Sequence, residues 1–279
     1  MHVDDDWIQR SQGDLFTKPL EMWRTGLFDA LPSSIDHTIV DVASGFGRNG
    51  WGCAILMRDV SECMLEITTI PDHLHLQFID HMAELHAHFW GFRDTFGLAP
   101  AGNRYFLLTP LMAAIEAERG GTDPVPAMVA EGWERVFDAS PVIATHVRPL
   151  LADPTPLTVA QSTDPESLVH GDWKAGNLGA TPDGRTVLID WAFPGQASVT
   201  LDIADYVAVN CDLLPGTKDD AIADYRDALE RRAIDTSGWW DRSIELSLLG
   251  LAVLMAWSKS GDELGWWEDH VERGARYVG

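Results

Sequence analysis

Three polar side chains, Asp172, Asn177 and Asp190, stand five and then thirteen residues apart. They lie in a stretch that reads Leu168-Val169-His170-Gly171-Asp172-Trp173-Lys174-Ala175-Gly176-Asn177 and, after a short turn, Val187-Leu188-Ile189-Asp190-Trp191. Two carboxylates and an amide so arranged suit phosphoryl transfer. One carboxylate orients an attacking hydroxyl and takes its proton, while an amide oxygen and a second carboxylate hold magnesium against the nucleotide phosphates. Hard oxygen donors match that ion. The plainer alternative is a tight glycine-rich turn in which Asp and Asn only cap backbone groups.

Positioning these groups requires a small frame. Val187, Leu188 and Ile189 form an apolar strand that delivers Asp190 at its end, and Leu168-Val169 make a similar approach to His170. Pro182, Asp183 and Gly184 make the turn between the two segments. The three polar groups can then converge at one end of a hairpin.

The segment resembles the catalytic loop of the aminoglycoside phosphotransferase and choline kinase group, His-Gly-Asp-x-x-x-x-Asn followed by Ile-Asp-Trp. The resemblance implies Asp172 as catalytic base and Asn177 and Asp190 as magnesium ligands. It places Lys174 where protein kinases hold a lysine facing the transferred phosphate, and His170 as a brace for the loop. Leu56-Met57-Arg58-Asp59-Val60-Ser61 resembles the hinge between the two lobes, so Met57 and Arg58 would meet the adenine. Ala83 to Trp90 resembles a Leu-His-Ala-x-Phe-Trp helix of the same family. Leu201 to Tyr206 resembles its Asp-Leu-Ala helix start, with Asp202 capping the helix and bracing the loop.

Upstream the likeness thins. A kinase-like N-lobe carries a glycine-rich hairpin over the nucleotide and a strand lysine on the phosphates. The chain begins too late for that hairpin, and of its four lysines (18, 174, 218 and 259) none falls on an N-lobe strand. Arg10, on a short strand Trp7-Ile8-Gln9-Arg10, is the substitute cation, and Glu21, on a helix from Thr17 to Ala30, is its candidate partner. A solvated Glu21 favoured by the helix dipole is the alternative. A start further upstream, an unusual mode of nucleotide binding, or a kinase-like protein with little activity each account for the gap.

Gly45-Phe46-Gly47-Arg48-Asn49-Gly50 is a literal G-x-G-x-x-G between two strands, one opening at Thr38 and one running from Trp51 to Met57. A nucleotide or S-adenosylmethionine loop needs a helix to open at the third glycine. A strand-like run follows instead, which predicts a hairpin. Five histidines (73, 75, 81, 86 and 88) fall on a helix over residues 71–92, but no pair stands at i, i+4 as a helical zinc site requires.

The chain has 279 residues, 46% of them hydrophobic, with 43 acidic against 20 basic and a net charge of -23. That charge excludes nucleic acid and anionic membrane as partners and is compatible with a cationic small substrate. Three cysteines without metal spacing suit a reducing compartment. The acidic N-terminus has no apolar core for a signal peptide, and the run from Leu246 to Trp257 is too short to span a bilayer. Cytoplasmic residence follows as the default.

The expectation is an α+β, protein kinase-like fold: a reduced N-lobe at 1–60 with a few antiparallel strands, and a helical C-lobe at 61–279. The expected activity is transfer of the ATP γ-phosphate to a hydroxyl of a small substrate, with ATP and Mg²⁺ as cofactors. A catalytically weak pseudokinase used as a binding module is the second reading, and an S-adenosylmethionine-dependent methyltransferase the third.

Overall fold

The computed structural model describes residues 6–279 apart from 15, 16, 51, 67 and 99. The chain opens with helix α1 (Trp7–Gln12). This corrects the strand expected there: the Asp6 carboxylate accepts from the N–H groups of Ile8 and Gln9, and Gly13 ends the turn. An acidic N-cap and a C-terminal glycine outweigh a four-residue apolar pattern. Helix α2 (Lys18–Arg24) is shorter than the expected 17–30, giving way to turns before Ala30.

Strand β1 (Ile35–Asp36) precedes an antiparallel hairpin of β2 (Ile39–Phe46) and β3 (Gly52–Met57), with Val42 opposite Ile55 and Ser44 opposite Cys53. Gly45, Gly47 and Gly50 have φ of 92°, 65° and 71°, which an L side chain resists. The G-x-G-x-x-G is therefore a hairpin loop, and no α-helix opens after it. Trp51, expected at the head of the second strand, lies outside the described residues, as do residues 1–5 of the acidic N-terminus.

The rest is mainly helical. Helix α3 (Asp72–His88) is followed by a 3-10 turn at Ala101–Phe106, then α4 (Pro110–Glu118), α5 (Val125–Ala139), α6 (Pro141–Ala152) and α7 (Thr155–Gln161). In α5, Val129, Gly132, Trp133 and Val136 recur at helical spacing and all are buried. After β4 (Glu166–Val169), β5 (Leu178–Ala180), β6 (Thr186–Leu188) and β7 (Gly195–Ser198) come α8 (Leu201–Val209), α9 (Lys218–Arg231), α10 (Trp240–Met255) and α11 (Asp262–Ala275).

The sheets are small: β1-β6-β5 in one, β2-β3 in another, β4-β7 in a third. Helix α10 carries the long apolar run and is buried on nearly every side. Trp133, Trp173, Trp191 and Trp267 fill the core around it. The architecture is α+β, with small sheets and a larger helical part, as expected; β2 and β3 are antiparallel, but β1, expected to belong with them, pairs in parallel with β6. Among the described residues, no helix is long and apolar enough to cross a membrane.

Candidate active site

The loop from His170 to Asn177 bridges two sheets. β4, paired with β7, leads into it, and the β5–β6 hairpin leads out. Its backbone is held from below by one helix. The buried Asp202 carboxylate accepts from His170 N–H at 2.8 Å and Gly171 N–H at 2.7 Å. Asp205 accepts from Trp173 N–H at 2.8 Å, and Asn210 Oδ1 from Ala175 N–H at 2.7 Å. Asp202 thus braces the loop; it does not cap α8, whose N-cap Thr200 makes no side-chain cap bond. Burial opposes the Asp202 charge, but the His86 hydrogen bond at 3.1 Å and the loop N–H groups hold its carboxyl below the usual range.

His170 is fully buried and ties two parts of the site together. Its Nε2 donates to Ile189 O at 3.1 Å, and its Nδ1 accepts from Asp172 N–H at 3.2 Å. Burial lowers its pKa, in keeping with this neutral tautomer. Gly171 has φ of 79°, and a Cβ there would lie 2.6 Å from Phe193 O and 2.7 Å from Arg104 Nη1. Only glycine fits without displacing backbone.

On this frame Asp172 Oδ2 accepts from Lys174 Nζ at 2.6 Å and from Asn177 Nδ2 at 2.9 Å. Burial lowers the lysine pKa, but the Asp172 charge and hydrogen bond outweigh it, so Lys174 titrates above its ordinary value. Asp190 follows β6 at φ of 61°, a conformation uncommon for a side-chain-bearing residue. Its side chain is exposed, while Asp172 and Asn177 are 9% and 4% exposed. Asp172, Lys174 and Asp190 line one cavity of about 440 Å³. Asp172 and Asn177 are thus in contact, and Asp190 lines the same cavity as Asp172.

None of the four residues expected on the nucleotide side lines that cavity. Arg10 lies on a helix, with its guanidinium on Glu116 at 2.5 Å. Glu21 pairs with Arg24 at 2.9 Å. Met57 ends β3 with an exposed side chain. The Arg58 N–H donates to Thr38 O at 2.9 Å, and its guanidinium meets Asp36 at 2.6 Å.

Sequence reasoning missed four residues around the loop. Asp205 and Asn210 share α8 and its end with Asp202. Polar residues on an otherwise apolar helix were the available signal. The buried Arg104 donates to Gly171 O and lies over the Phe193 ring. Lys18 is also buried, and its ammonium donates to Gln12 Oε1 at 2.7 Å and Ala192 O at 3.4 Å. Burial lowers its pKa to about 8. Burial and the nearby Asp172 push Asp205 up to about 8. A larger groove of about 980 Å³ lies between α4 and α5, away from the loop. Among the described residues no cluster of three His, Cys, Asp or Glu side chains could hold a metal; His75 and His86 are buried on Tyr206 and Tyr225.

No protein-family model matches the chain, and no curated protein matches it. Among solved structures, it is similar to choline kinase LicA from Streptococcus pneumoniae at 13% identity and TM-score 0.48, covering 95% of this chain and 83% of that one. It is also similar to an ethanolamine kinase from Plasmodium vivax at 12% identity and TM-score 0.46, covering 96% and 73%. An ADP-bound aminoglycoside phosphotransferase, APH(2'')-Ib, matches at 12% identity and TM-score 0.40, covering 97% and 84%.

Proposed function

We propose that the protein is a small-molecule phosphotransferase that moves the γ-phosphate of ATP to a hydroxyl of its acceptor. The observation that carries this reading is the Asp172 carboxylate, held by Lys174 and Asn177 beside a cavity that Asp190 also lines. Both bonds to Asp172 fall on Oδ2, which leaves Oδ1 to accept from the acceptor hydroxyl. The acceptor oxygen forms a bond to the γ-phosphorus, the bond from that phosphorus to the bridging oxygen of ADP breaks, and the hydroxyl proton passes to Asp172. Lys174 steadies the charge on the moving phosphoryl group.

The donor set fits magnesium. Asn177 gives its amide nitrogen to Asp172, and its amide oxygen and the Asp190 carboxylate would be the hard oxygen ligands. The ion would neutralise phosphate charge there. With three free cysteines, a net charge of -23 and this small-molecule chemistry, the reading is of a cytoplasmic enzyme that binds neither nucleic acid nor membrane.

One observation favours the second reading, a binding module with weak or no catalysis. Among the described residues no lysine reaches Glu21: Lys18 bonds Gln12 and Ala192, Lys174 bonds Asp172, and Lys218 and Lys259 meet Glu263. A thermal shift with ATP, with and without magnesium, separates the readings. A magnesium-dependent rise in Tm is expected of the enzyme. Asp172→Ala should then lower turnover by about 10²–10⁴-fold while the protein stays folded. Retained turnover would remove Asp172 from the mechanism.

A further inference from the structure

The peptides on either side of Asp172 are pinned one after another by side chains. The N–H groups of the 169–170 and 170–171 peptides donate to Asp202 at 2.8 and 2.7 Å. Beyond the base, the Trp173 N–H donates to Asp205 at 2.8 Å, and the Asp172 carbonyl accepts from Asn177 Nδ2 at 3.0 Å. The Gly171–Asp172 peptide between them is held differently. Its N–H meets His170 Nδ1 at a longer 3.2 Å, and its carbonyl accepts from Arg104 Nη2.

That peptide leads directly into the base, and the chain itself restrains it least. Gly171 has φ of 79°, and glycine admits backbone conformations closed to other residues. A flip of the peptide plane would take the Asp172 N–H away from His170 and pull the carboxylate off the Lys174 and Asn177 bonds that orient it. Arg104 is placed to oppose that flip. It is 6% exposed and stands in the 3-10 turn at Ala101–Phe106. Its two neighbours tie the turn down: Asn103 Nδ2 donates to Gln12 O at 2.9 Å, and Tyr105 Oη to Gln161 Oε1 at 3.0 Å. Among the described residues the Arg104 Nε finds no acceptor. Burying a guanidinium is costly, and the structure spends it on the Gly171 carbonyl.

Resting on the phosphotransferase reading, we propose that Arg104 is a positioning residue for the transfer: it locks the Gly171–Asp172 peptide and so keeps the Asp172 carboxylate where it takes the acceptor proton. Its effect passes through the Gly171 carbonyl and not through the phosphate.

The test compares Arg104→Met, which keeps an unbranched stem and removes the donors, with Arg104→Lys, which keeps a cationic donor. Amide hydrogen exchange over residues 170–173 reports local opening. Mg²⁺-dependent ADP release from ATP, with water in place of the acceptor hydroxyl, reports the chemistry. Arg104→Met should speed exchange of the Asp172 amide about tenfold and lower kcat about 10²-fold, with KM for ATP unchanged. Arg104→Lys should recover most of both, and Leu76→Ala, on the exposed face of α3, should alter neither. Unchanged Asp172 exchange in folded Arg104→Met overturns the proposal. So does a fall in kcat matched by a rise in KM that Arg104→Lys does not recover. Should Arg104→Met fail to fold, Arg104→Gln, uncharged and shorter, takes its place with the same outcomes. Equal ADP release by Arg104→Met and the wild type would sink the positioning role and keep the phosphotransferase. Faster Asp172 exchange in Arg104→Met, beside a wild type that releases no ADP, would keep the peptide lock and sink the phosphotransferase.

Discussion

The loop from His170 to Asn177 and the β2–β3 hairpin are both glycine-rich connections between short strands, but they are built oppositely. The loop is almost wholly buried, and four of its N–H groups are taken by side chains of α8 and its end. The hairpin's β2 is largely exposed, with Val40 at 50% and Phe46 at 50%, and Leu56 on β3 at 61%. Its order comes from its own ladder and from glycines that accept positive φ. Fixed geometry at Asp172 and Asn177 needs partners that cannot move, and a packed helix supplies them. A surface ladder shapes a loop without anchoring it to the core.

Asp202→Ala should be the most damaging change to that contrast. It leaves two loop N–H groups and His86 buried without their acceptor, at a cost of about 3–5 kcal/mol. Urea denaturation measures it, and a loss below 1 kcal/mol, as for a surface pair, would erase the distinction. Gly171→Ala comes next. The strained φ and the clash with Phe193 O should cost about 1–3 kcal/mol and lower turnover through displacement of Asp172.

Asp205 gives the comparison a pH signature. Its folded pKa of about 8 lies above its ordinary 3.8. Its contribution is therefore fully present below pH 3.8 and is lost as pH rises towards 8, because the unfolded carboxyl ionises first. Asp205→Asn keeps an oxygen for the Trp173 N–H and should flatten stability between those values. An unchanged slope in denaturation midpoints would show that other groups set it. At the small end, Leu56→Ser on the exposed hairpin should move stability by less than about 0.5 kcal/mol. A larger loss would mean that the hairpin packs on something.

The segment from His170 to Trp191 was legible because its members are close in sequence. A turn at Thr181–Gly184 and two apolar approaches suffice to bring Asp172, Asn177 and Asp190 together. The misread strand at 7–10 had its correction beside it, in Asp6 and Gly13, but a four-residue pattern cannot distinguish the two periods. Arg10 and Glu21 were read from single positions, and Met57 and Arg58 from a six-residue likeness at 56–61; Arg10 pairs with Glu116, Glu21 with Arg24, and Arg58 with Thr38 and Asp36.

By itself, then, the sequence determined the helical periodicities, the hairpin loop at Gly45–Gly50, the acidic surface and the local order of Asp172, Asn177 and Asp190. These depend on residue type, spacing and turn chemistry within a few tens of residues. Only the tertiary structure decided what holds and surrounds those groups. Asp202, Asp205 and Asn210 act on the loop across 31, 32 and 35 residues, and Arg104 across 67. The cavity at Asp172 is lined from α1, α5, α8 and α10, and no spacing in the chain encodes that meeting. It exists because burial of several helix faces in one core brings distant side chains to a single cavity.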